Sequence, residues 1–287
     1  MQHPALRLAV VGHTEWVRFA RVDRVPTPGA IVHSTDSWEG PGGAGGVAAA
    51  QLAELAGTST FFTALGADEL GARSTAALRE RGVRVRAATR DAPTRTALAM
   101  IDPGGERTIV TLGERLEPHG DDPLPWKELA RADGVYVSAG DDEALRQARR
   151  ARVVVVTTRI LSRLASSGIT ADVVIGSAHD PDERTDPTSV PGSPGLIVLT
   201  EGARGGEWWS ADGRSGRYEA AAAPGPVRDT YGAGDSFQAG LTFALAAGMD
   251  VPAALEFAAR CGAVAVTRPG PGPGRAGTPI RPPPDAR

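Results

Sequence analysis

The stretch DTYGAGD, residues 229–235, decides the fold of this chain. An apolar pattern at helical spacing follows it and ends at Gly248, so the sequence predicts a helix that begins in a glycine-rich turn. The first amides of a helix have no internal partner and lie at the positive end of its dipole, which makes them a natural anion site. Gly232 and Gly234 would let the backbone approach a phosphate without a Cβ in the way.

Asp235 stands at the start of this helix, where a carboxylate is stabilised by the dipole but repels a bound phosphate. A catalytic role would explain it, because a carboxylate there can take a proton from an attacking hydroxyl. The other interpretation is a helix start without a ligand, since Asp is a common N-cap residue and Gly is common in turns. The residues alone leave both interpretations open.

Outside this turn, short apolar runs rich in β-branched residues alternate with helical patterns. The runs cover residues 6–11, 60–65, 134–138, 153–157, 173–175 and 196–200. Helical spacing is found over 47–57 and 68–82. Unbroken apolar strands with helices between them predict an α/β fold whose mainly parallel sheet is covered on both faces.

Two regions break this rhythm. The segment 31–38 lies between turn-rich stretches, and the runs 98–101 and 108–112 flank Asp102-Pro103-Gly104-Gly105, which is a hairpin signal. These pieces predict a small separate sheet. It is either a lid over a site or an ordinary edge hairpin.

The composition excludes several classes of protein. A net charge of −3 and a pI near 6.0 argue against a nucleic-acid partner and against a polybasic membrane-surface protein. The single cysteine, Cys261, allows no intramolecular disulfide, and no apolar run approaches the ~20 residues of a membrane span. We therefore expect a cytoplasmic protein. Because Lys127 is the only lysine, a phosphate site must use backbone amides, a metal ion or arginine.

Asp229 to Phe237 resembles the signature D-T-x-G-A-G-D followed by S/T-F of the PfkB family of carbohydrate and nucleoside kinases, the ribokinase-like group. Further resemblances cover nearly the whole chain. GGAGG at 42–46 resembles the glycine motif that closes on the sugar, and TEGARG at 200–205 resembles a turn that lines the nucleotide site. Residues 105–108 look like part of the family's lid, and 263–270 resemble the segment near adenine and a monovalent cation.

This resemblance implies one ribokinase-like kinase domain over residues 1–270. It would be an α/β domain with a doubly wound, mainly parallel sheet, helices on both faces and a small β-sheet lid from about 13–40 and 94–113. The Pro/Gly/Arg-rich tail 271–287 is expected to be flexible. The implied activity is ATP-dependent phosphoryl transfer to a hydroxyl of a small sugar-like substrate. Lids in this family sometimes pair, so a homodimer is a further expectation.

The resemblance also assigns roles to residues. Asp235 would be the general base, and Gly232, Ala233 and Gly234 would form the anion hole. The expected substrate-binding residues are Glu15, Gly42, Gly43, Val47 and Asp235. The expected ATP-binding residues are Thr200, Gly202, Arg204, Gly205, Thr230, Gly232, Gly234 and Ala263. The metal candidates are Asp180 for Mg²⁺ and Asp229 for K⁺.

Two substrate positions depart from the family pattern. Val47 stands where the family commonly has an Asn that contacts substrate hydroxyls, and a valine side chain cannot form a hydrogen bond. Glu15 stands where the family usually has an Asp that grips the sugar, with Asp23 as a second candidate. Glu15 is either this substrate ligand with a longer arm or a surface acid.

The metal positions depart as well. Ser177 and Asp180 replace the Asn and Glu of the family's N-x-x-E segment, and Asp182 or Glu183 could serve in place of Asp180. In the cation loop, PGPG at 271–274 removes side-chain oxygens, which argues against K⁺ activation.

Three functions stay open at this point. The favoured one is a sugar kinase. A nucleoside kinase of the same fold is the second, if Trp16 or Trp38 stacks on a base. The third is a catalytically weak sugar- or nucleotide-binding homologue, suggested by the changed positions 47, 177 and 180. An intact Asp235 argues against this third reading.

Overall fold

The computed structural model describes residues 6–270, and the expected tail 271–287 lies outside them. Its strands are β1 (Leu8–Val11), β2 (Glu15–Arg21), β3 (Asp36–Gly42), β4 (Ser59–Gly66), β5 (Val83–Arg90), β6 (Thr96–Ile101), β7 (Arg107–Leu112), β8 (Gly134–Val137), β9 (Val153–Thr157), β10 (Val173–Ser177), β11 (Leu196–Thr200), β12 (Gly206–Ser210) and β13 (Ser215–Tyr218). Its α-helices are α1 (Gly43–Ala56), α2 (Glu69–Glu80), α3 (Asp142–Ala148), α4 (Leu161–Ser167), α5 (Ala233–Ala246) and α6 (Val251–Ala265).

The main sheet has nine strands in the order β13-β12-β11-β10-β9-β8-β1-β4-β5. Seven of them are parallel, and β12 and β13 extend the sheet antiparallel at one edge. This confirms the expected mainly parallel α/β sheet. The sequence patterns did not predict strands β5, β12 and β13. Their alternating or glycine-broken composition differs from the unbroken apolar runs of the central strands, because each lies at or beside an edge of the sheet.

The central strands bury side chains on both faces. In β9, Val155 packs into one hydrophobic core with α1, α5 and α6, while Val154 and Val156 pack into a second core on the opposite face with α3 and α4. All three valines are fully buried. A strand with apolar residues at every position is stable only between two such layers. The carboxyl ends of β1, β8 and β9 therefore meet at one edge, where ligands commonly bind in open α/β sheets.

The expected small sheet is also present, with the order β3-β2-β6-β7. We call this four-stranded sheet the lid. Phe19 on β2 stacks on Trp38 with ring centroids 5.2 Å apart and meets the edge of Tyr231 at 5.0 Å. The lid thus shares a small core with the glycine-rich turn. Strand β3 begins at Asp36, whereas Ile31 lies in an exposed loop, so the early part of the segment 31–38 is not strand.

A helix must be both long and apolar to cross a lipid bilayer. No helix within residues 6–270 meets both conditions.

Candidate active site

The glycine-rich turn leaves helix amides open to a ligand. Helix α5 begins directly after Gly232, which has a φ of +76°. The amide of Ala233 donates to the Thr230 carbonyl over 3.3 Å, while those of Gly232, Gly234 and Asp235 reach no acceptor among the described residues. A Cβ added at Gly234 would meet nothing within 4 Å. The turn therefore offers free donors facing open space, as an anion site requires.

Asp235 is half-buried on the first turn of α5, and its carboxylate has no hydrogen-bond partner among the described residues. Burial and, to a smaller extent, the charge of Glu183 raise the pKa of Asp235 to about 6, against the opposing charges of Arg107 and Arg159. A carboxyl group with a pKa near neutrality is suited to accept a proton from a substrate hydroxyl.

Tyr231 connects the glycine-rich turn to the glycine motif at 42–46. Its hydroxyl accepts a hydrogen bond from the Gly43 amide at 2.8 Å. A Cβ at Gly42 would overlap that hydroxyl, so only glycine allows this approach. Val47 packs against the other side of the turn, since its Cγ1 would lie 2.9 Å from a Cβ at Gly232. In this structure Val47 supports the turn by packing, and its role toward substrate stays a prediction.

The next group lies at the base of the lid and contains unpartnered polar atoms. Glu15 is 5% exposed, and its Oε2 lies 3.5 Å from the Arg95 Nε without a hydrogen bond to it. The His13 Nδ1 and Ser138 Oγ are also buried and unpartnered among the described residues. Buried polar atoms are normally satisfied, so such a group indicates a place that a polar ligand completes.

The electrostatics of this group favour a neutral imidazole beside guanidinium groups. Burial, together with the charges of Arg115, Arg95 and Arg159, lowers the pKa of His13 to about 3. Burial raises the pKa of Glu15, while Arg95 and Arg115 oppose the rise. We call His13, Glu15, Arg95 and Ser138 the acceptor group.

The tip of the lid hairpin contacts the start of the glycine-rich turn. The Thr230 amide donates to the Gly105 carbonyl at 2.8 Å, and Arg107 donates to the Thr230 Oγ at 3.2 Å. The Thr230 hydroxyl in turn donates to Glu106 at 3.1 Å. These contacts hold the positive charge of Arg107 close enough to act on Asp235.

The two metal candidates are already engaged. Asp180 forms an ion pair with Arg159, which also binds Glu183 through its Nε at 2.6 Å. Asp229 is fully buried, and its carboxylate accepts the amides of Tyr231 at 2.8 Å and Gly270 at 2.7 Å. Burial raises the pKa of Asp229. These contacts do not test metal binding, which stays a prediction.

The expected nucleotide residues outside the glycine-rich turn lie at the carboxyl end of β11, in the turn after it and in α6. Thr200 ends β11, and the turn after it contains Gly202, which has open space around it. Arg204 contacts the His179 Nε2 at 3.1 Å, and a Cβ at Gly205 would overlap the Tyr218 carbonyl.

Ala263 is half-buried in α6. It lies beside Gly262, where an added Cβ would be 3.3 Å from the Ala233 carbonyl oxygen. The alternative substrate residue Asp23 is exposed beyond the end of β2 and away from the acceptor group.

The sequence reading gave no role to several residues of this site. Ser138 directly follows β8 and His13 lies two residues after β1, so the rule that ligands bind at the carboxyl ends of parallel strands would have found them. Arg95 and Arg159 carry no comparable signal, because arginines are frequent throughout this chain.

Comparisons with known proteins agree with this geometry. Residues 5–276 match the sequence model of the pfkB family of carbohydrate kinases. The chain is 25% identical over 279 residues to an ATP-dependent ribose-1-phosphate kinase of Halopiger xanaduensis, covering 92% of this chain and 93% of that one. It is 26% identical to a fructokinase of Vibrio alginolyticus, with 80% and 86% covered.

The fold is similar to that of Arabidopsis thaliana ribokinase complexed with ribose and ATP. The TM-score is 0.72 at 20% identity, over 92% of this chain and 93% of that chain. The family match spans nearly all of the chain, and the nine-stranded sheet with its four-stranded lid is the ribokinase-like fold. The chain therefore belongs to the pfkB family of carbohydrate kinases.

Proposed function

We propose that the chain transfers the terminal phosphoryl group of ATP to a hydroxyl of a small sugar-like acceptor, with Asp235 as the general base. The observation that carries this proposal is the unpartnered Asp235 carboxylate, with its raised pKa, beside the free amides of Gly232 and Gly234. The curated relatives named above include an ATP-dependent sugar-phosphate kinase and a fructokinase, which supports both the donor and the acceptor class.

The proposed step is a direct displacement. The acceptor oxygen bonds to the terminal phosphorus of ATP, the bond from that phosphorus to ADP breaks, and the hydroxyl proton moves to Asp235. The free amides of the turn stabilise charge on the transferring group without reorganising, which is worth roughly 3–4 kcal/mol of barrier for one such donor. Arg107 adds positive charge from the lid tip.

Mg²⁺ fits this proposal through the oxygens of Asp180 and Glu183, which would hold its water ligands. When bound, the ion would neutralise charge on the ATP phosphates. Asp229 is the candidate for K⁺, although both of its oxygens already accept backbone amides.

A sugar phosphate is a second candidate acceptor. Arg95 and Arg115 both act on Glu15 and on the neutral His13, so cationic groups surround the acceptor group. The nucleoside alternative rests on Trp16 or Trp38. Trp16 is covered by the Arg73 guanidinium at 4.3 Å and Trp38 is stacked on Phe19, so neither ring supports stacking on a base.

ADP release with Mg-ATP against a panel of pentoses, hexoses, their monophosphates and nucleosides tests the proposal. We expect turnover with at least one sugar or sugar phosphate and none with nucleosides. Turnover with nucleosides alone would contradict the sugar acceptor and identify a nucleoside kinase. A panel in which sugars shift the melting temperature without any ADP release would instead identify a catalytically weak homologue.

The pH dependence of kcat/KM is a separate prediction. A base must be deprotonated, so kcat/KM should fall as the pH drops through about 6 and stay flat above it. Because Glu183 raises the pKa of Asp235, Glu183→Gln should move this step to lower pH. Asp182→Asn is the matched control, since Asp182 also lies near Arg159 but is 83% exposed. If the pH at which kcat/KM falls is unchanged in Glu183→Gln, the assignment of this pKa to Asp235 is wrong.

A further inference from the structure

A cavity lies at the end of the main sheet opposite the candidate active site. It has a volume of about 620 Å³ and is bounded by β1, β4, β5 and the 3₁₀ helix Trp126–Arg131. Ala9, Thr60 and Phe62 also line it but are almost fully buried, whereas Leu6 is only partly buried. Its residues on β1 and β4 come from the amino-terminal parts of those strands, whereas the acceptor group follows the carboxyl ends. A ligand here would not compete with ATP or with the sugar.

The rim of this cavity is strongly cationic. It carries five basic side chains and one carboxylate, which are Arg7, Arg84, Arg86, Lys127, Arg131 and Glu128. The chain as a whole has a net charge of −3, so this local excess of positive charge opposes the overall balance. It includes the only lysine of the sequence.

Most of these cations lack partners. Arg86 pairs with Glu128 at 2.9 Å, but its Nε is buried without a hydrogen-bond partner. The side chains of Arg7, Arg84, Lys127 and Arg131 form no ion pair or hydrogen bond with any residue in the part of the chain that the structure describes. Four unpaired cations around one cavity repel each other, and a bound anion would relieve this repulsion.

The shape and chemistry of the cavity define the ligand class. Its volume lies within the range of small-molecule sites, and apolar surface with a few charged groups at the rim is typical of them. Guanidinium groups bind phosphate oxygens through paired hydrogen bonds. Leu6, which is only partly buried, and the aliphatic stems of the rim arginines suit an apolar or ring portion of the ligand.

We propose that this cavity binds a small organic phosphate, with its phosphate on the rim arginines and its organic part against Leu6 and the aliphatic stems of those arginines. This site is separate from the proposed catalytic site and does not depend on the proposed function.

Calorimetric titration of the full chain with phenyl phosphate and with inorganic phosphate, at constant ionic strength and without Mg²⁺, tests the proposal. We expect phenyl phosphate to bind at least about fivefold more tightly than inorganic phosphate. Arg84→Gln combined with Arg131→Gln should weaken phenyl phosphate by at least about tenfold. Arg24→Gln combined with Arg150→Gln, which removes the same charge elsewhere, should leave the affinity unchanged.

Stability gives a second readout. The Arg84 and Arg131 double variant should have a melting temperature no lower than the wild type without ligand, because it relieves repulsion, and should lose the rise caused by phenyl phosphate. Equal affinity for both probes would mean an adventitious ion only and would overturn the proposal. Full affinity in the double variant would place the anion elsewhere, at the turn before α5, and would also overturn it.

Discussion

Asp235→Asn should lower kcat by about 10³-fold, within the 10²–10⁴-fold range of general-base catalysis. The amide cannot accept the proton from the acceptor hydroxyl, yet it has nearly the same size and keeps the helix start. Burial already disfavours the charged form of Asp235, so the variant should melt at the same temperature as the wild type or higher. Steady-state ADP release and thermal unfolding measure the two effects.

Asp250→Asn is the matched control for this variant. Asp250 also stands at a helix start, where its carboxylate caps the Ala253 amide at 2.9 Å, and asparagine caps equally well. Its kcat should therefore match the wild type. An Asp235→Asn enzyme that keeps kcat within a factor of about ten would show that another group takes the proton.

Arg95→Met should lower the free energy of unfolding by about 3 kcal/mol, the lower end for breaking a buried ion pair, since no hydrogen bond joins this one. The substitution leaves the buried Glu15 carboxylate without its cation. Because folding raises the pKa of Glu15, the protonated carboxyl group stabilises the folded protein at low pH. This contribution to the free energy of unfolding is lost as the pH rises through the raised pKa. The deficit in the free energy of unfolding should therefore shrink as the pH falls. Urea unfolding at several pH values measures it.

Glu15→Gln combined with Arg95→Met separates stability from function. The double variant should recover most of the lost stability, because no buried charge remains unpaired. It should not recover kcat/KM, because the acceptor group then lacks both ligands. Recovery of activity along with stability would mean that Glu15 and Arg95 serve the fold alone.

Some parts of this site can be read from the sequence because they depend on neighbouring residues. The turn at 229–235 and the helix after it follow from glycine conformations and helical spacing within a few positions. The alternation of buried strands and helices likewise predicts the mainly parallel sheet.

Other parts depend on distant pairs. Tyr231 binds the Gly43 amide across 188 positions, and Glu15 faces Arg95 only because β2 pairs with β6 in the lid. Strand β5 alternates valine and arginine, which is also typical of an exposed segment, so its place at the sheet edge depends on pairing with β4. Nothing local in the sequence encodes these contacts.

The lid joins the main body through four chain crossings: residues 12–14, the junction of β3 with α1 at 42–43, residues 91–95 and the segment after β7. All four connections lie at the same end of the lid, because residues 15, 42, 96 and 112 are neighbours in its register. We therefore expect any movement of the lid to be a rotation about one axis along that end. His13 and Arg95 lie in these crossings and would travel least, whereas the tip at Arg107 would travel farthest. We therefore expect a sugar to bind beside the rotation axis while the lid is open, and Arg107 to reach the site only when the lid closes.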